Sequence, residues 1–336
     1  MTSIGEVAKL AGVSAATVSR HLSGQRIRSS DTVERAIAEL GYSPSAIARS
    51  LKSGLTRNIG VIIPDITNPF FASVVKGIEE GSRDQSYNLL LCNTDEVADR
   101  QDRMLRTLLG LVDALILTPA IESVEVPDAL RRHEVPVVLL DREFGEELGF
   151  DSVLVDNAGG ARQAATYLAQ IGHERIGVIS GPLESTPGRL RHEGFLAGME
   201  EAQLTTEPGL TVVGDFREIG GYVGMKSLLA ADPPTAVFVA NNLMAMGALR
   251  ACKEAGVVIP SDLSFVSFDD LELGNLLEPA ITTISRSAIA QGALAMSLLA
   301  ERLSGEAPVE ARKCVLEARL TVRDSCIAVP RLRRVS

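Results

Sequence analysis

The chain has 336 residues, enough for two domains and a small extra module, and its 46% hydrophobic and 23% charged residues are the make-up of an ordinary globular protein. No apolar run approaches the length of a membrane span, and Glu6 and Lys9 interrupt the N-terminus where a secretory signal would be apolar, so a cytoplasmic protein without membrane partners is expected. The net charge of −10 is unevenly spread: of 33 Lys/Arg and 43 Asp/Glu, residues 1–60 hold eight and four, and a basic head on an acidic body suits a module that reads nucleic acid.

The head reads as three short helices. Ser3 followed three places later by Glu6 is a capping box, and Ile4, Val7, Ala8 and Ala11 fall on one helical face. Gly12 supplies a turn that needs positive φ. Ser14 then caps a second helix over residues 15–22, with Val18 and Leu22 inward. A third helix follows Ser30, with Val33, Ile37 and Leu40 inward and Gly41 as its stop. Two helices joined by a glycine turn form a helix-turn-helix unit. The outer face of its second helix carries Ala15, Ala16, Thr17, Ser19 and Arg20. Small side chains there admit the backbone to a major groove, hydroxyls reach phosphates, and an arginine can hold guanine through two hydrogen bonds.

The stretch from Gly41 to Lys52 places Ser-Pro-Ser before a turn or two of helix that ends in Leu51 and Lys52. It is too short to persist alone. Paired with its copy on DNA it can insert Leu51 as a minor-groove wedge. Together the run V-A-K-L-A-G-V-S-A-A-T-V-S-R and the hinge G-Y-S-P-S-A-I-A-R-S-L-K closely resemble the lactose-repressor/galactose-repressor (LacI/GalR) family of bacterial regulators, and the resemblance runs to about residue 325. It departs in the loop from Ser23 to Ser30, which is shorter than the family's. The expected DNA contacts are Ser14, Ala15, Ala16, Thr17, Ser19, Arg20, Tyr42, Ala48, Leu51 and Lys52.

From Asn58 the pattern alternates between short apolar runs and helical stretches. Strands are predicted at 59–63, 88–91, 114–117, 137–140, 176–179, 236–239 and 264–268. Helices are predicted at 71–83, 160–170, 190–202, 221–229, 244–255 and 288–303. Such alternation argues for parallel sheets covered on both faces by helices. The strands are too many for one comfortable sheet. The resemblance implies a small all-α helix-turn-helix head plus a periplasmic-binding-protein-like α/β body of two parallel-sheet subdomains with a cleft between. The expected divisions are 1–43 for the head, 44–57 for the hinge and 58–330 for the body. Within the body, 58–157 with 287–317 form the first subdomain and 158–286 with 318–330 the second.

In open α/β sheets ligands sit beyond the C-terminal ends of strands. Polar residues recur there: Asp65, the Asn93-Thr94-Asp95 run, Asp141-Arg142, Asn241-Asn242 and Asp269-Asp270. For Asp65 and Asp270 a helix cap and an effector role stay equally open. The resemblance implies that Asp141, Arg191, Asn241 and Asp269 contact the effector and that Phe71 and Phe216 line it. With Asp95 and Arg142 these complete the expected effector set. Carboxylates, amides and an arginine around an aromatic face suit a polyhydroxyl ligand. A sugar or sugar derivative is the first expectation, while a nucleobase or a carboxylic acid stays open because Arg142 and Arg191 can clamp an anion. The sequence departs from the family at Asn242, where an aspartate is usual, and at Glu278-Pro279-Ala280, where paired prolines are usual.

The four cysteines and four histidines show no metal-ligand spacing. No G-x-G-x-x-G, P-loop or G-x-S-x-G occurs, so neither an enzyme nor a cofactor is expected. A periplasmic sugar-binding protein would share the body but has no use for residues 1–52. The expectation is a DNA-binding regulator, a repressor, that binds palindromic double-stranded operator DNA as a homodimer. Its effector is a small molecule held between the subdomains. The tail from Pro330 carries no apolar heptad for a tetramer.

Overall fold

The structure is a computed structural model that describes residues 2–22, 24–43, 50, 54–83, 87–120, 128–132, 135–144, 149–230, 232–271 and 274–329. It divides into two units, Met1–Arg57 and Asn58–Ser336. In the first, α1 (Ile4–Ala11), α2 (Ala15–Leu22) and α3 (Ser30–Leu40) pack Val7, Ala8, Ala11, Val18, Val33 and Ala36 into one small core. The Ser3–Glu6 capping box forms in both directions, and Gly12 and Gly41 close α1 and α3 at φ of 67° and 57°. The expected Ala48, Leu51 and Lys52 lie outside the described residues.

The second unit carries two six-stranded sheets. The first is built from β1 (Asn58–Ile63), β2 (Asn88–Asn93), β3 (Ala114–Leu117), β4 (Val137–Leu140), β5 (Asp151–Val155) and a late strand β11 (Lys313–Leu316), in the order β11-β5-β4-β3-β1-β2. All its pairings are parallel. The second contains β6 (Ile176–Ser180), β7 (Thr211–Val213), β8 (Ala236–Val239), β9 (Ser264–Phe268), β10 (Thr282–Ser285) and β12 (Arg319–Thr321), ordered β12-β10-β9-β8-β6-β7. Only β12 runs antiparallel there. The central strands β3, β4, β8 and β9 are buried along their whole length, as helices on both faces require.

Those helices are α4 (Pro69–Ser82), α5 (Ala98–Leu108), the short α6 (Asp128–Arg132), α7 (Asn157–Gln170), α8 (Thr186–Glu201), α9 (Glu218–Leu229), α10 (Asn242–Ala255) and α11 (Ala288–Ser304). A capping side chain sets where five of them begin: Asn68, Asp156, Ser185, Asn241 and Ser287 each accept a hydrogen bond from a first-turn amide. The cap at Asp156 starts α7 three residues before the predicted 160–170. Neighbouring helices approach closely at glycines. A Cβ on Gly77 would fall 2.1 Å from the Ile289 carbonyl oxygen, and one on Gly292 2.0 Å from that of Val74, so α4 and α11 meet backbone to backbone.

The chain passes between the sheets three times, after β5, after β10 and between β11 and β12. A buried carboxylate ties α11 and the start of β11 to the first sheet. Asp151, at the start of β5, pairs with Arg302 of α11 and with Arg312 just before β11, each at 2.7 Å. Burial alone would raise its pKa, but the hydrogen bonds from both arginines lower it to about 2. Near the C-terminal end, His173 is buried and bonds Thr235, Ser264 and the Ile327 carbonyl oxygen. No helix among the described residues is long and apolar enough to cross a membrane.

Candidate functional site

Within the head, the outer face of α2 presents Ser14, Ala15, Ala16 and Arg20 as exposed residues, with Thr17 and Ser19 half-exposed. The Ser14 hydroxyl accepts from the Thr17 amide at 3.2 Å and lies 2.9 Å from the Thr17 hydroxyl. Arg20 leans on that hydroxyl through Nη2 at 3.5 Å. His21 ties α2 to α3 through Ser30 at 3.1 Å. Tyr42 packs half-buried against the head core.

In the body, both sheets reverse their winding direction between β1 and β3 and between β6 and β8, the switch points at which such sheets bind ligands. A cavity of about 490 Å³ lies there. Its lining includes Phe71, Asp95, Asp141, Arg142, Arg191, Phe216, Asn241 and Asp269, so the eight residues expected to bind the effector converge on one cleft. Four of them, Asp95, Asp141, Phe216 and Asp269, have φ between 51° and 67°. Left-handed backbone at non-glycine positions costs free energy and concentrates at functional sites. Here it turns side chains back over the strand ends.

From the first sheet, the β1 end delivers Asp65, whose carboxylate closes an Asx turn by accepting from the Thr67 amide and hydroxyl at 2.8 and 2.7 Å. Asp65 thus fills a local capping role and also lines the cleft. Asn68 and Pro69 then start α4, which puts Phe70 and Phe71 into the wall as an edge-to-face pair 5.0 Å apart. Arg142 does not present a free fork. Its Nη1 and Nη2 hold Glu96 at 2.6 and 2.7 Å, and Nη1 also reaches the Pro119 carbonyl oxygen at 3.1 Å. The anion clamp expected of Arg142 is occupied from within the protein.

The second sheet supplies Asn241 at the α10 cap, where its Oδ1 accepts from the Met244 amide and its Nδ2 donates to the Phe216 carbonyl oxygen, both at 2.9 Å. Arg191 of α8 is 2% exposed. It donates to Asn157 at 2.8 Å and to the Ala240 carbonyl oxygen at 2.6 Å, and stacks 3.6 Å above the Phe268 ring. Burial depresses its pKa to about 10, against the charges of Asp269 and Asp141 that raise it. Asp270 is neither a cap nor part of the lining: it accepts from Thr283 and Arg323 at 2.7 and 2.9 Å.

The residue that sequence reasoning missed is Arg286. It follows β10, and a cation directly after the run I-T-T-I-S was the available signal, since the other strand ends carry polar residues too. Its guanidinium donates to Asp141 at 2.5 Å and to Asp269 at 2.6 and 3.2 Å, and lies 3.8 Å over the Phe70 ring. Arg286 therefore joins one carboxylate from each sheet. Burial works against its charge, but Asp269 and Asp141 hold its pKa above the ordinary arginine value. For Asp141, burial would raise the pKa, yet Arg286 and Arg191 keep it below the usual carboxylate value. Two further bonds span the cleft: Asn242 Nδ2 donates to Asn68 Oδ1 at 2.9 Å, and Arg217 donates to the Asp95 carbonyl oxygen at 3.1 Å. Among the described residues no group of three or more His, Cys, Asp or Glu side chains is placed to hold a metal ion.

Both parts of the chain resemble known proteins. Residues 3–45 match the family described as bacterial regulatory proteins, lacI family, and residues 165–326 match a periplasmic binding protein-like domain. The chain is 39% identical over 311 residues to the ribose operon repressor of Escherichia coli strain K12, covering 90% of this chain and 94% of that protein. Among solved structures it is similar to a transcriptional regulator CelR–cellobiose complex, with a TM-score of 0.75 and 30% identity over 97% of this chain and all of the other. It is also similar to the lac repressor dimer bound to operator and the anti-inducer ONPF, with a TM-score of 0.85 and 26% identity over 97% and 99% of the two chains.

Proposed function

The chain belongs to the lacI family of bacterial regulatory proteins, and from that premise we propose that it is a cytoplasmic repressor whose grip on a palindromic operator is set by a sugar in the body cleft. The observation that carries this reading is the joining, in one chain, of a helix-turn-helix head to a cleft in which eight polar and aromatic residues from two sheets converge. Ser14, Ala15, Ala16, Thr17, Ser19 and Arg20 are the DNA-reading surface, with Arg20 the base-reading residue. Tyr42, Ala48, Leu51 and Lys52 complete the contacts. The divisions at 43/44 and 57/58, and the two-lobed body, belong to this reading.

Function follows from two coupled equilibria. An effector that touches both lobes stabilises the orientation in which its contacts are complete. Operator affinity then changes by the difference in DNA binding between the two orientations, with a coupling of roughly 1–3 kcal/mol, or about 5- to 150-fold. Two copies related by a two-fold axis match a palindromic operator, and the structure of the lac repressor dimer bound to operator supports a homodimer here. The test is selection of bound sequences from random DNA by the purified protein, with and without a panel of sugars. Enrichment of a palindrome whose recovery changes with one sugar is expected. Salt-sensitive binding with no enriched sequence would overturn the reading.

A further inference from the structure

We propose, resting on the reading of the cleft as the effector site, that the effector is an uncharged polyhydroxyl compound, a free sugar rather than a phosphate ester or a carboxylate, and that Arg286 fixes this choice. The argument begins with the charge of the lining. Seven carboxylates and four arginines face the cavity. Anion-binding sites show the reverse balance, because a buried anion needs cations with no other partner.

None of the deep arginines is in that condition. Arg142 is committed to Glu96. Arg286 bridges Asp141 and Asp269, and Arg191 sits 3.7 Å from Asp269. On the floor, Asp141 and Asp269 are matched by Arg191 and Arg286, charge for charge, with every one of these four residues nearly fully buried. A phosphate or carboxylate entering the floor finds no unmatched cation there, and the fourth arginine, Arg217, lies exposed at the rim with its Nη2 on the Asp95 carbonyl oxygen. To take Arg286 for itself it must strip Asp141 or Asp269 of its partner, and a buried carboxylate left alone costs as much as the new pair returns. Asp65, Asp215 and Glu218 on the lining repel it as well.

A neutral polyol meets none of these costs. Arg191, which lines the cavity, keeps Nη2 buried without a hydrogen-bond partner. It is a donor waiting for a hydroxyl or ring oxygen. The carboxylates accept from hydroxyl groups, and the Phe71 and Phe216 rings supply apolar faces for the C–H side of a sugar ring. Arg286 thus acts by cancelling the two carboxylates while leaving their oxygens available. In its absence the same floor would carry one uncompensated negative charge and favour a cationic ligand.

The experiment is a calorimetric titration of the full chain with free pentoses and hexoses, their terminal phosphate esters, their aldonates and their 2-amino-2-deoxy analogues, repeated on Arg286→Gln and Phe216→Ala. The expected result is that a neutral sugar binds wild type while its phosphate ester and aldonate bind roughly 100-fold more weakly or not at all. In Arg286→Gln the preference should move toward the protonated amino sugar by about tenfold or more relative to its neutral parent. A merely structural arginine would weaken both alike, and that outcome would remove Arg286 from the selection. An anionic sugar that binds wild type as tightly as its neutral parent overturns the charge inference and leaves the cleft as the effector site. Binding that survives unchanged in Phe216→Ala, or no binding by any of the compounds, overturns the cleft reading itself.

Discussion

Gly181, the residue that follows β6, should be intolerant of a single methyl group for a reason that touches the ligand more than the fold. A Cβ at this position falls 2.2 Å from both Cε1 and Cζ of Phe216, whereas carbon atoms in contact lie about 3.5–4.0 Å apart. The ring must therefore move by more than an ångström. Phe216 is only half-buried, and its open side faces the cleft, so the ring can swing into the space the effector needs. Overpacking a closed core costs about 1–3 kcal/mol, but here most of that strain is relieved by the swing. The loss passes to ligand binding, because one aromatic wall now blocks the cavity. We expect Gly181→Ala to weaken effector binding by roughly 10- to 100-fold, or about 1.4–3 kcal/mol, with little change in melting temperature and none in effector-free operator binding. Calorimetry for affinity and thermal denaturation for stability separate the two effects. An unchanged effector affinity, whatever happens to stability, would show that the Phe216 ring is not a wall of the site.

The other perturbations act at separate points. Arg191→Ala should abolish the effector response and lower stability by about 3–5 kcal/mol, since it leaves the buried floor with one negative charge in excess and strands Asn157 and the Ala240 carbonyl oxygen; a normal gel-shift response to effector would remove Arg191 from the site. Arg20→Ala should cost roughly 1–3 kcal/mol on a cognate operator and relax base preference there, and equal losses on cognate and random DNA would assign it to the phosphates instead. Asp151, with its folded-state pKa near 2 against an ordinary 3.8, contributes stability that is fully present above its unfolded value and is lost as pH falls through the folded one. The urea midpoint of wild type should therefore drop between about pH 5 and pH 2 by an amount worth about 2 kcal/mol more than that of Asp151→Asn. Parallel pH profiles for the two proteins would rule out this role for Asp151.

Much of the arrangement was legible before any coordinates. Ser3 and Glu6 declare a helix start because cap and reciprocal acid are local in sequence, and the apolar runs of β3, β4, β8 and β9 declare strands because burial on both faces leaves no polar alternation. Asp95, Asp141, Arg142, Asn241 and Asp269 stood out because they follow strands, where such sheets bind ligands, whereas Arg191, Phe71 and Phe216 were reached only through the family resemblance. What escaped was whatever depends on tertiary partners. Asp151–Val155 begins with an aspartate and reads poorly as a strand until Arg302 and Arg312 neutralise it. The fork of Arg142 looks free until Glu96, 46 residues away in sequence, is brought to it. Asn242, set apart at the outset as a departure from the family, is joined to Asn68, 174 residues away in sequence, only in the folded body. Pairings of this kind leave no trace in local spacing.

The three crossings between the sheets bear on how the molecule can be made and cut. Each sheet owns a strand supplied from the last part of the chain, β11 for the first and β12 for the second. While the protein is being synthesised, the first lobe has five of its strands for more than 150 residues before its sixth emerges, and Asp151 waits as long for Arg312. Neither lobe can be released as one continuous fragment by a single cleavage. A chain that terminates just before Arg312 would leave both sheets one strand short and the buried Asp151 with only Arg302, so nonsense truncations near the C-terminus should be removed by proteases as completely as early ones. An isolated lobe would require joining its separated pieces in a new order, with the cut ends placed at these crossings.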